Sequence, residues 1–165
     1  MPSQIGFDDT EYELLREFDK IYLNMPKKKK DRIIVTVDEL HKKIESSFDC
    51  KKCGNCCRRG KDILIDGRDI NKLAKELKVT KDEFIEKYVK VDNGRSFLIV
   101  NGECGFLNED NTCSVHDSKP NFCRKYPFLT PFTAYLFFFV DNNMDVKRLP
   151  VKFPLPCDAL KNLIE

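Results

Sequence analysis

The segment CKKCGNCC, residues 50–57, places four of the chain's eight cysteines within eight positions. Nothing else in the sequence restricts the fold as severely. Thiols this close must share a disulfide staple, a zinc ion or an iron–sulfur cluster. Compartment narrows the choice. Met1 to Lys30 is interrupted by charge throughout and has no apolar core of secretory type. The longest apolar run, AYLFFFV at 134–140, falls far short of the roughly 20 residues that span a bilayer. The chain is therefore expected in the cytoplasm without membrane insertion, where disulfides rarely persist and clustered thiols bind metal or do redox chemistry.

With 165 residues, one domain with a helical appendage is expected, and the length suffices to bury a core without metal as the only glue. The 29 Lys+Arg against 27 Asp+Glu leave a net charge of +2, which argues against a global nucleic-acid-binding field. The division expected is an N-terminal helical extension over 1–45 and a cysteine domain over 46–165.

Periodicity outlines the elements. Thr10 and Glu13 stand at capping-box spacing ahead of Leu14, Leu15, Phe18, Ile21 and Tyr22, a helical stripe that Pro26 and the solvated run Lys27–Lys30 end. Ile33, Val37, Leu40 and Ile44 predict a second helix, in which His41 reads as a surface or satisfied core histidine. DILI at 62–65 reads as a strand. Asp66 or Asp69 can cap a helix through Ile70, Leu73, Ala74 and Leu77, and Thr80 with Glu83 opens another through Phe84, Ile85 and Tyr88. Asn101–Gly102 is a type I′ hairpin signal, which puts Cys104 after the turn and Cys113 opposite it on a small ribbon. The run Phe137 to Phe139 reads as a buried strand. With six of eight prolines between 120 and 156, the last third is expected to be irregular. The fold class is α+β: a small irregular metal-stabilised domain with several helices and a short hairpin or ribbon.

The candidate metal ligands are Cys50, Cys53, Cys56, Cys57, Cys104, Cys113, Cys123 and Cys157. Cys50 and Cys53 make one C-x2-C knuckle with Gly54, but the chain has no second copy, which disfavours an ordinary zinc ribbon. Cys50, Cys53 and Cys56 match the first three ligands of the bacterial ferredoxin run, whose fourth cysteine and proline are missing. A hybrid site follows, with three ligands from the loop and the fourth from the ribbon or Cys123. The adjacent Cys56 and Cys57 are expected to face different partners. Zinc and a 4Fe–4S cluster both stay open. Arg58, Arg59, Lys61 and Arg124 would set positive charge around the thiolates, and Arg58, Arg124 and Tyr126 are the candidate cofactor-binding residues. His116, three residues after Cys113, has the spacing of a zinc ligand but reads as a surface histidine.

CKKCGNCC followed by CGFLNEDNTCSVHDSKPNFCRKYPF resembles the CxxCxxCC cysteine-cluster family, described as a zinc- or iron-chelating domain that includes flagellin lysine N-methylases. The residues that carry the resemblance are Cys104, Phe106, Leu107, Cys113, Ser114, Pro120, Cys123, Arg124, Tyr126, Pro127 and Phe128. It covers about residues 48–128. Lys119 stands where the family usually has arginine, and Asp158 follows Cys157 where glycine is common. The resemblance implies a metalloprotein, with S-adenosylmethionine-dependent methyl transfer to a protein lysine as one family chemistry. Against an enzyme, the chain has no Gly-rich Rossmann loop and no radical-enzyme C-x3-C-x2-C spacing. The expected function is a 4Fe–4S cluster used in redox or methyl-transfer chemistry on a protein partner or substrate. The alternative is a non-enzymatic zinc- or iron-binding module for stabilisation, metal delivery or partner binding.

Overall fold

The computed structural model describes residues 7–141 together with 157, 159 and 160. Among these the chain forms two compact units, one of residue 7 with 52–126, the other of 8–51 with 127–141, 157, 159 and 160. This division differs from the expected boundary at 45, because a later helix joins the two N-terminal ones. The fold is α+β.

The cysteine-bearing unit is built on a three-stranded antiparallel sheet, β1 (Ile63–Ile65), β2 (Val89–Asp92) and β3 (Arg95–Leu98), in the order β1-β3-β2. Ile63 and Val89 both pair with Leu98, so the three share one face. Against that face pack α3 (Gly67–Glu76) through Ile70, Leu73 and Ala74, and α4 (Lys81–Tyr88) through Phe84, which is fully buried. Both helices start where the capping pattern predicts. The Asp66 carboxylate accepts from the amides of Arg68 at 2.8 Å and Asp69 at 2.9 Å, and Thr80 Oγ1 accepts from the Glu83 amide at 3.2 Å.

The hairpin turn lies elsewhere than expected. Asn93 and Gly94, with φ of 49° and 72°, join β2 to β3, and both central residues are left-handed as a type I′ turn requires. At the second Asn–Gly pair only Gly102 has positive φ, and Asn101 and Glu103 form a single isolated bridge. A matching turn dipeptide makes a hairpin only where two strands flank it.

In the other unit α6 (Thr130–Asp141) packs on α1 (Asp9–Asn24) and α2 (Lys27–Ser46). Three expectations are corrected here. The AYLFFFV run is helical within α6. Apolar on all sides, α6 satisfies its own backbone internally while it is buried, and Pro131 sits in its first turn where no amide donor is missed. Lys27–Lys30 is not a linker but the first turn of α2, with Pro26 at its N-cap and Lys29 paired to Asp141 at 2.5 Å. The N-cap of α1 is Asp8 with Glu11, rather than Thr10 with Glu13; the earlier acid starts the helix two residues sooner and supplies the stronger capping oxygen. His41 lies between the rings of Phe128 and Phe132, with centroids 5.7 and 5.6 Å away, and its buried Nε2 has no hydrogen-bond partner among the described residues. α6 also gives the last third more regular structure than its prolines suggest; Pro150, Pro154, Pro156 and Asp158 lie outside the described residues. No helix among the described residues is long and apolar enough to cross a membrane.

Asp69, 5% exposed, closes the α3 capping box and also accepts the Asn121 amide at 3.1 Å. Asp69→Ala strips one buried amide and one cap together, so it is expected to cost about 1–3 kcal/mol. Asp66→Ala, at an exposed cap, should cost about 1 kcal/mol. Urea midpoints at equal metal loading check the order of the two losses.

Candidate metal centre

The cysteine loop turns on left-handed residues, Lys52 at φ 51° and Gly54 at φ 74°. The amides of Cys57 and Arg58 then donate to the Gly54 carbonyl at 3.0 and 3.2 Å, which winds the loop into a knuckle. A second set of bonds brings distant segments to it. The Cys104 amide donates to the Cys57 carbonyl at 2.9 Å, and the Leu107 amide to the Cys104 carbonyl at 3.0 Å. Leu107 pairs in turn with Cys113 as an antiparallel bridge, and the Ser114 amide donates to the Phe106 carbonyl at 2.8 Å. Cys104 and Cys113 thus lie on one small ribbon, though Cys113 sits opposite Leu107 and not opposite Cys104. Cys123 rides on the short helix α5 (Asn121–Lys125), whose first amide Asp69 holds.

These contacts gather five thiols. Cys57, Cys113 and Cys123 pack at the edge of the hydrophobic core around the buried Cys104. Cys56 Sγ stands 4.0 Å from Cys57 Sγ, so the adjacent cysteines do not face apart as expected. Cys53 belongs to the same unit and is half-buried, while Cys50 and Cys157 belong to the other unit. None of the eight is joined in a disulfide.

Hydrogen bonds between the thiols, together with burial, govern the protonation of this group. The Cys57 thiol bonds to the sulfurs of Cys104 and Cys56 and, with added burial, is held in its protonated form far above the ordinary thiol range. Its hydrogen bonds stabilise the neighbouring thiolates. Cys56 is thereby lowered to about 6 against the opposing effect of burial, with help from Lys119, and Cys104 is lowered to about 7 against burial. Burial raises Cys113, and it raises Cys123 to about 12 with further push from the Cys104, Cys56 and Cys113 charges.

The cation that acts on the sulfurs is Lys119, which favours the thiolates of Cys56, Cys113 and Cys123. Sequence reasoning noted Lys119 only as a departure from an arginine; its place before Pro120 in the cysteine signature was the available signal. The predicted cations are occupied otherwise. Arg124 donates to the carbonyls of Lys119, at 3.0 Å, and Asp117. Arg59 lies over the Tyr126 ring, 5.0 Å from its centroid. Arg58 donates to Cys53, Glu103 and Asn111. His116 is exposed beside Asp117 and Lys119, as expected of a surface histidine. A polar cleft of about 300 Å³ beside α3 and α5 is lined by Asp66, Arg68, Asp69, Lys72, Asn121 and Arg124.

Among the described residues, no three Cys, His, Asp or Glu side chains stand in an arrangement that could hold an ion as they are. The donor chemistry nevertheless fits a soft metal, since all five gathered groups are thiols. The 4.0 Å between the Cys56 and Cys57 sulfurs is close to the roughly 3.8 Å edge of a tetrahedron with zinc–sulfur bonds of about 2.3 Å. Closing the site requires the thiols to draw closer together.

A family model, CxxCxxCC, described as "Putative zinc- or iron-chelating domain", matches residues 49–149. The match takes in Cys50 and ends before Cys157. An uncharacterized protein of Methanocaldococcus jannaschii is 32% identical over 85 residues, which is 50% of this chain and 45% of that relative. The aligned part therefore spans less than half the relative's length. No solved structure matches the chain.

In the metal-free reduced protein, iodoacetamide should modify Cys56 well before Cys123. The thiolate is the reactive form, so Cys56 labelling should rise through about pH 6 while Cys123 stays mostly protonated up to about 12. Peptide mapping across pH 5–9, a window of about four units around the ordinary thiol range, reads both. Equal labelling of the two at every pH would contradict this electrostatic arrangement.

Proposed function

Since the chain belongs to the CxxCxxCC family of zinc- or iron-chelating domains, we propose that it binds one zinc ion through four of the five gathered thiols, Cys56, Cys57, Cys104, Cys113 and Cys123. The observation that carries this reading is the seam between loop and ribbon. A backbone hydrogen bond of 2.9 Å joins Cys104 to Cys57, and the Cys56 and Cys57 sulfurs lie near a tetrahedral edge. When bound, zinc supplies folding free energy to a domain whose ribbon is otherwise held by isolated bridges.

The protein's own residues do the rest. Gly54 turns the loop so that Cys56 and Cys57 reach the ribbon, Asp69 seats the helix that carries Cys123, and Lys119 offsets the negative charge of the sulfurs. The core on one side excludes water from Cys104. This suits a structural or metal-delivering module that acts with a protein partner.

A second reading keeps a 4Fe–4S cluster in redox or methyl-transfer chemistry. It is favoured by the C-x2-C-x2-C run at Cys50, Cys53 and Cys56, which matches three ferredoxin ligands. Methyl transfer from S-adenosylmethionine rests on the family resemblance alone.

Anaerobic purification with elemental analysis and a visible spectrum separates the two. The zinc reading expects a colourless protein with about one zinc per chain, little metal in Cys57→Ser and Cys104→Ser, and full metal in Cys157→Ser. A brown protein with matched iron and sulfide turns the conclusion to the second reading. Full metal in both ligand variants sinks the seam as the site.

A further inference from the structure

We infer that Arg58 is the positioning residue of this centre: its guanidinium clamps the cysteine loop to the ribbon and so governs how long metal is retained. The inference rests on the metal-binding reading above. One side chain reaches three segments. Nη1 donates to the Cys53 carbonyl at 2.9 Å, Nε donates to Glu103 Oε1 at 3.0 Å, and Nη2 donates to Asn111 Oδ1.

The addresses of these bonds give the clamp its meaning. Arg58 follows Cys57, Glu103 precedes Cys104, and Asn111 lies two residues before Cys113. A single planar fork thus ties the Cys53 carbonyl to two side chains of the ribbon, at positions beside or near Cys57, Cys104 and Cys113. The loop is shaped to leave it room. A Cβ at Gly54 would meet Arg58 Nη1 at 2.5 Å and Asn111 Oδ1 at 3.2 Å.

The charge of Arg58 pairs with Glu103 and is not spent on the sulfurs. Lys119 is the cation that shifts the thiols, whereas Arg58 spends its donors on a carbonyl, a carboxylate and an amide oxygen. A lysine could keep the positive charge but not the three-way fork, because its ammonium is a point donor on a flexible stem. Arg58→Lys and Arg58→Gln therefore separate the two roles.

The test loads wild type and both variants with zinc and follows its transfer to the chromogenic chelator pyridylazoresorcinol. Loss of a residue that orients ligands should speed release on the order of tenfold or more, equally in both variants. Wild-type release from Arg58→Lys with fast release from Arg58→Gln would show that charge matters, and would overturn the inference. Unchanged release in both would overturn it as well.

Amide hydrogen exchange on the same proteins without metal gives a second readout. The Cys104 amide, bonded to the Cys57 carbonyl at 2.9 Å, should exchange faster in both variants. The Phe84 amide, bonded to the Thr80 carbonyl at 3.0 Å in α4, should not change, which excludes general unfolding. Unaltered exchange at Cys104 overturns the clamp. A wild type that takes up no zinc overturns the zinc reading instead, and the exchange measurement still decides the clamp.

Discussion

The burial of a hydrogen-bonded group of thiols at the edge of an apolar core is the constraint on which the cysteine-bearing unit depends. Five sulfurs gathered there cannot all ionise, since burial penalises every thiolate and each charge raises the cost of the next. The structure answers with a proton and a cation. Cys57 keeps its proton and shares it by hydrogen bonding with Cys104 and Cys56, and Lys119 offsets part of the remaining charge. A divalent metal does both jobs more strongly: it displaces the protons and neutralises the thiolates.

The surrounding fold holds that group together from several segments. Cys104 is anchored in the core formed by the sheet face, α3 and α4, so the thiol cluster has one rigid wall. Asp69 links the start of α3 to the start of α5 through a buried carboxylate, which ties Cys123 to that wall. Of the loop cysteines, Cys57 packs against the edge of that core. The loop also depends on the Cys104–Cys57 backbone bond and on side-chain bonds to the ribbon. In the other unit, α6 is buried through Phe132, Leu136 and Phe138 and packs on α1 and α2 without any use of cysteine chemistry in those helices.

Local signals were legible in proportion to how local their physics is. The caps of α3 and α4 involve residues three apart, and both were read correctly because a carboxylate or hydroxyl reaches an amide one turn ahead whatever the rest of the chain does. The α1 cap was misread because Asp8–Glu11 and Thr10–Glu13 satisfy the same spacing. The hairpin was misplaced for a related reason. Two Asn–Gly pairs fit the turn, and only Asn93–Gly94 has paired strands on both sides. AYLFFFV, without polar residues to mark a period, could not distinguish strand from helix; burial among α1 and α2 decided it.

By itself the sequence determined the donor chemistry, the α+β class and the capped helices, because residue type and short spacing suffice for each. Only the tertiary structure decided which cysteines meet. It brought Cys56 and Cys57 together with Cys104, Cys113 and Cys123, placed Cys50 and Cys157 in the other unit, and turned Arg58 from a cation into a brace. The physical reason is range. A thiol's affinity for metal belongs to one side chain, whereas the company it keeps depends on hydrogen bonds between segments that folding alone makes neighbours.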